Sequence, residues 1–145
     1  MKRRQALQYL AGGGTVLLAG CSSFSEDPGP FTFAIVNFRE RQYHAEFAIR
    51  DDDDELIRDG FVDIAPSPPG DGEFSALSFD NLPPVTNGET IDVAVDIDGK
   101  TFEETYEITC NQSENAENNF FFRIRHPGAA NTDTESGMGF FGSRC

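Results

Sequence analysis

Tryptophan is absent from this chain, and lysine and histidine occur twice each. The missing Trp removes the usual platform for stacking a sugar. No stretch approaches the about 20 apolar residues of a spanning helix, which excludes a multi-pass membrane protein. Basic charge is scarce too: 11 Lys+Arg stand against 25 Asp+Glu, a net charge of −14. Nucleic-acid binding needs a basic footprint for phosphate, so that class is excluded. No Gly-x-Ser-x-Gly, glycine-rich phosphate loop or His-Glu-x-x-His occurs, so no catalytic set is visible. Carboxylates are so many that no pair stands out as an acid and base. What is present is phenylalanine, 14 of it in 145 residues. With the β-branched residues this excludes a wholly disordered chain, and the length allows one domain.

The first residues read MKRRQALQYL, then AGGGTVLLAG, then Cys21. Cations ahead of a short apolar run and a small-residue site are the layout of an export signal. Arg3 and Arg4 resemble the paired arginines of the twin-arginine signal, a route that carries folded proteins. The weakly hydrophobic, glycine-diluted run suits that route. Leu18-Ala19-Gly20-Cys21 resembles the lipobox of prokaryotic lipoproteins. That resemblance implies a signal peptide over 1–20, a lipid on Cys21 and a polar, proline-broken tether over 21–30. The protein is then held at the extracellular face of the cell membrane. The remaining domain spans 31–145.

Without the leader's three cations, eight remain against 25 acids, or −17, and Lys100 is the one lysine among them. This balance resembles the proteins of extreme halophiles. Carboxylates hold water and cations where salt competes for both, and their mutual repulsion is relieved when salt screens it.

With Cys21 lipidated, Cys110 and Cys145 remain as an even pair outside the cell, where disulfides persist. A disulfide between them would tie down the C-terminal tail. The alternatives are two free thiols or an intermolecular bond. Asn111-Gln112-Ser113 is an N-glycosylation sequon, which makes Asn111 a possible glycan site.

The domain shows short strand patterns and no sustained helical period. Phe31, Phe33 and Ile35 alternate, as do Tyr43, Ala45, Phe47 and Ile49. A strand from Leu56 is interrupted at Gly60, where a bulge or a break is expected. Phe74 to Phe79 is a weak strand. Ile91, Val93, Val95 and Ile97 face inward, and Asp98-Gly99 predicts a type I′ hairpin turn. Its partner runs from Lys100 to Cys110, with Glu104 on the inward parity and therefore near an edge. Phe120, Phe122 and Ile124 mark one more strand, with Arg123 and Arg125 outward. After Pro127 the tail is rich in Gly, Ser and Thr; Phe121, opposite in parity to Phe120 and Phe122, is expected to pack under its Phe140 and Phe141, the alternative being a small apolar contact patch.

About seven strands in this length predict an all-β, antiparallel sandwich. The segment SFDNLPPVTNGETIDVAVDIDGKTF is similar to the corner and hairpin of immunoglobulin-like and fibronectin type III-like domains. With the leader, the lipobox and the acidity, the whole resembles haloarchaeal surface lipoproteins with one immunoglobulin-like sandwich. That resemblance implies a non-catalytic binding or structural module of the envelope, with an envelope protein or the surface layer as partner. No cofactor is expected, and nothing in the sequence sets the oligomeric state. The alternative is a small redox or cation-binding lipoprotein. The order His44, Cys110, His126, Met138 resembles the ligand order of blue-copper proteins, but those sites need Cys, His and Met close together on one loop. Asp51-Asp52-Asp53-Asp54-Glu55 offers oxygens to a hard cation such as calcium, or simply forms a solvated turn. Asp51 to Glu55 and Pro66 to Gly72 are expected to form contact loops at one end of the sandwich.

Overall fold

A computed structural model describes residues 27–114 and 116–145. Arg3, Arg4, Cys21, the leader and most of the tether lie outside the described residues.

Eight strands form an all-β sandwich, and no helix occurs among the described residues. They are β1 (Phe31–Asn37), β2 (Tyr43–Arg50), β3 (Leu56–Ile64), β4 (Ser75–Phe79), β5 (Thr90–Ile97), β6 (Lys100–Glu107), β7 (Asn118–Ile124) and β8 (Met138–Gly142). One sheet has the order β4-β1-β7-β8 and the other β3-β2-β5-β6. The architecture is that of immunoglobulin-like sandwiches. The strand order is its own: lettered along the chain, the sheets are DAGH and CBEF, where a constant-type immunoglobulin domain has ABED and CFG.

Alternation decides the core. Ile91, Val93, Val95 and Ile97 are all buried, as are Tyr43, Ala45, Phe47 and Ile49. Between the sheets Phe33 packs on Phe47 with ring centroids 6.0 Å apart, and Phe47 on Phe79 at 4.6 Å. The Asp98-Gly99 turn has φ of 51° and 75°, both positive, as the I′ turn requires. Glu104, despite its inward parity, lies exposed because β6 is an edge strand.

Four expectations are corrected. The tail is not a bare Gly-Ser segment: Met138–Gly142 forms an eighth strand, paired with β7 from Ile124↔Met138 to Phe120↔Gly142. Its glycines dilute the apolar signal, yet Phe140 packs inward on Phe120 at 5.1 Å. The sandwich is also not wholly antiparallel, because β1 and β7 run parallel. The bulge is not at Gly60, which pairs regularly with Phe47. It falls where Arg58 pairs with Ile49 and Leu56 with Arg50, so that Ile57 is the extra residue. Gly60 instead leaves space over Phe47, whose ring would lie 3.5 Å from an added Cβ.

Finally, the two expected contact loops lie at opposite ends. The 51–55 turn joins Arg50 to Leu56, whereas the 65–74 loop leaves β3 beside Tyr43, the partner of Ile64. The first end is the tether end. There Gly29 exchanges two backbone hydrogen bonds with Val85, at 2.8 and 2.9 Å. The far end is pinned by Arg39, whose Nε donates to the Arg125 carbonyl at 2.7 Å and whose Nη1 donates to the Tyr43 hydroxyl at 2.9 Å.

Candidate functional site

The two outward sheet faces are built from opposite chemistry. On β3-β2-β5-β6 the outward positions fall into cross-strand rows set by register. One row is Phe61, Glu46, Asp96 and Thr101, and the next is Asp59, Ala48, Ala94 and Glu103. Arg50 and Asp92 flank the second row on its other side, and His44 and Asp63 lie beyond the first. Seven acids, Glu46, Asp59, Asp63, Asp92, Asp96, Glu103 and Glu107, therefore share one exposed face. The basic side chains near it take acidic partners: His44 contacts Asp63, and Arg50 lies 4.0 Å from Asp54. The hydroxyls of Thr105 and Thr101 donate to Asp92 and Asp96. Ala48 and Ala94 leave a shallow trough of about 560 Å³, rimmed by Asp92, Glu103 and Glu104.

The four strands of the other sheet contain no Asp or Glu at all. Their outward rows are Ser78, Ala34, Phe121 and Phe141, then Ala76, Val36, Arg123 and Gly139. Ala34 and Val36 point away from the core yet are only 2% and 9% exposed, closed in by their flanking neighbours. The Arg123 guanidinium lies over the Phe141 ring at 4.4 Å, and Arg125 lies over Phe38 at 4.6 Å. Such cation–π contacts leave the charge without a counter-ion. No ion pair to Arg123 or Arg125 occurs among the described residues. Two donor atoms of Arg123, Nε and Nη2, are dry and have no hydrogen-bond partner. Burial, and secondarily the nearby Arg125, pulls the Arg123 pKa down. Phe141 is 45% exposed.

A third feature is the open side of the sandwich between β6 and β8. A cleft of about 780 Å³ has Tyr106, Phe120 and Phe140 as its floor and Glu104, Glu107 and Arg144 on its rim. The floor rings stack at 4.7 and 5.1 Å. The Tyr106 hydroxyl donates to the Ser143 carbonyl at 2.8 Å, and burial raises its pKa. The polar atom of this floor is thus already partnered.

The chain matches no protein-family model and no curated protein. Its chemistry therefore rests on geometry. Cys110 and Cys145 form a disulfide at the tether end. His44, Cys110, His126 and Met138 are not brought together: Cys110 lies beside the start of β7, whereas Met138 pairs with its last residue, Ile124, and His126 follows just beyond. Seven residues of strand separate those ends by about 20 Å. Asp51, Asp52 and Asp53 do converge, with ligand atoms within 4.8 Å of one another. Asp51 Oδ1 already accepts the amides of Asp53 and Glu55, at 3.0 and 2.9 Å, and so closes the turn.

Asn111 is built into the fold. Its Nδ2 donates to the Val85 carbonyl at 2.5 Å, and its Oδ1 accepts from Asn118 at 2.6 Å. The buried Asn118 in turn accepts the Cys110 amide at 2.9 Å. An added Cβ at Gly29 would collide with the Asn111 side chain. The nitrogen a glycan would use is committed to the latch at the tether end.

Phe141 lies beside Phe121 on the same outward row and does not cover it, while Phe140 turns inward. Sequence reasoning placed Arg123 outward without a role and offered Phe121 either to the tail or as a small apolar contact patch. The signal it passed over is a second-order one: in a chain with 25 acids, four strand segments hold none.

Proposed function

We propose that this chain is a membrane-anchored extracytoplasmic lipoprotein of the haloarchaeal surface type. It is exported by the twin-arginine route and held by a lipid on Cys21. Its single sandwich acts as a non-catalytic binding or structural module of the envelope. The leader and lipobox residues support the anchor. The contact role rests on one observation, the segregation of charge between the two faces. A purely solvated acidic domain has no reason to keep one whole sheet free of acids and to leave Arg123 and Arg125 without ion pairs. Surfaces of mixed aromatic and arginine character are those that interfaces favour.

The position of the tether limits the partner. Nine residues, 22–30, reach about 30 Å when fully extended. The tether end of the sandwich therefore lies within that distance of the membrane, and a partner within that distance plus the length of the domain. Copper would have to take Cys110 out of its disulfide.

Cys21→Ser should move the protein from the membrane fraction to the soluble one or halt its maturation. Arg3→Lys with Arg4→Lys should stop export. Unchanged partition with an unmodified Cys21 peptide refutes the anchor. Cross-linking in intact envelopes should give adducts that Arg123→Glu removes; adducts indifferent to that change refute the contact face.

A further inference from the structure

We propose that the partner of the acid-free face is the acidic face of a second copy, so that copies stack front to back. This rests on the contact-module reading above and names its partner. Both halves of the contact are present in one chain. The front carries the ridge Phe121–Phe141 with Arg123 beside it. The back carries the trough Ala48–Ala94, with Glu46 and Asp96 in the row on one side and Arg50 and Asp92 on the other.

The dimensions agree. Phe121 and Phe141 sit on neighbouring strands, and so do Ala48 and Ala94. Each pair is therefore about 5 Å apart, and the next row along either sheet lies about 7 Å away. With the ridge in the trough, Arg123 falls level with a row of carboxylates. Its exposed edge then gains the counter-ion it lacks within its own chain.

Charge selects this pairing over the symmetric ones. Front to front would place Arg123 against Arg123. Back to back would place seven acids against seven. Like charges in apposition penalise a wrong partner, and only front to back avoids both. A head-to-tail contact does not close on itself by a two-fold axis, so it extends into a row or a ring. Each face measures about 20 by 20 Å, or about 400 Å². That is below the roughly 800 Å² per partner of a standard stable interface, so the contact is a weak one. Confinement to a membrane would raise its occupancy. Both faces run alongside strands that begin at the tether end, and a row of anchored copies would extend along the membrane. The stacking itself does not need the lipid.

The test uses the full chain in non-ionic detergent and about 1 M salt. Repulsion between two acidic copies is there screened within about 3 Å, while contacts inside a closed interface are screened far less. The front variant is Arg123→Gln with Phe141→Ser, whose neutral front offers no charge to a reversed back, and the back variant is Asp92→Lys with Glu103→Lys. Wild type should sediment as a concentration-dependent series. Each variant alone should associate at least about tenfold more weakly. An equimolar mixture should form a dimer and nothing larger, because one good front meets one good back. Circular dichroism and an intact Cys110–Cys145 bond check the fold, and Arg123→Gln or Glu103→Gln alone replaces any variant that fails it. Wild type monomeric at all concentrations overturns the proposal, as does a front variant that still self-associates, or a mixture that gives no dimer. Arg123-dependent binding of a monomeric wild type to phosphatidylglycerol vesicles would also overturn it, assigning the face to lipid. If the purified chain stays monomeric while Arg123-dependent adducts to another protein form in envelopes, self-stacking falls and the contact-module reading stands. If neither occurs, both fall.

Discussion

Cys145→Ala removes the covalent link but leaves the strand that the link was expected to restrain. Cys110 and Cys145 are 35 residues apart in sequence. Opening a loop of that size returns about 4 kcal/mol of conformational freedom to the unfolded chain. In the folded state β8 keeps its pairing with β7, its buried Met138 and the stacking of Phe140 on Phe120. The Tyr106 hydroxyl still donates to the Ser143 carbonyl. The variant should therefore lose about 4 kcal/mol in urea titration at fixed salt, or about 15 °C in Tm. It should do so with β8 intact. Amide exchange under native conditions separates the two effects: the Gly139 and Phe141 amides, which face β7, should stay protected relative to the loop before β8. Loss of protection confined to β8 would show that the bridge, and not the sheet, holds the strand. A stability loss under about 1 kcal/mol would show that unfolded-chain freedom is not what the bridge restricts.

Salt and pH give two further tests. Glu46 and Asp96 are direct cross-strand neighbours. Glu46→Gln should raise the unfolding free energy from urea titration at low salt by about 0.5 kcal/mol, and the gain should vanish at 1 M, where screening acts within about 3 Å; an equal gain at both salts would rule out charge as the cause. Asp133 is held at a pKa of about 2 by the Lys100 hydrogen bond, and then by those from the Ser136 side chain and amide. A folded pKa below the unfolded one stabilises above the unfolded value and is lost as pH falls through the folded one. The Ser136 amide resonance should therefore move between pH 4 and about 2, with the loop before Met138 loosening as it does; a resonance that titrates near pH 4 contradicts the contact.

Strict alternation made β2 and β5 legible, because each buries one parity against the other sheet and exposes the other. The Asp98-Gly99 turn was legible for a different reason, since two positive φ values admit few residue types. β8 was hidden by its glycines, which carry no hydrophobic signal. The parallel pairing of β1 with β7 was hidden more deeply, because a period of two says which residues face inward but not which strand lies alongside. The same blindness put two loops at one end that the hairpin geometry of β2 and β3 sends to opposite ends. Of the candidate surface, the acidic side was visible as composition. The acid-free side exists only when β1, β4, β7 and β8 are assembled into one sheet.

That assembly has an order in time. The β3-β2-β5-β6 sheet is built largely from two local hairpins, and its last residue is Glu107. It can close while the rest of the chain is still being made. β1 is the first strand synthesised, yet its full partner in register, from Phe31↔Asn118 to Asn37↔Ile124, is made near the end. Long-range pairing of this kind makes folding slow, on the order of milliseconds to seconds. Until β7 arrives, one edge of β1 is open beside its uncovered Phe33 and Ile35, a state prone to aggregate. The nascent protein should therefore depend on chaperone protection late in synthesis.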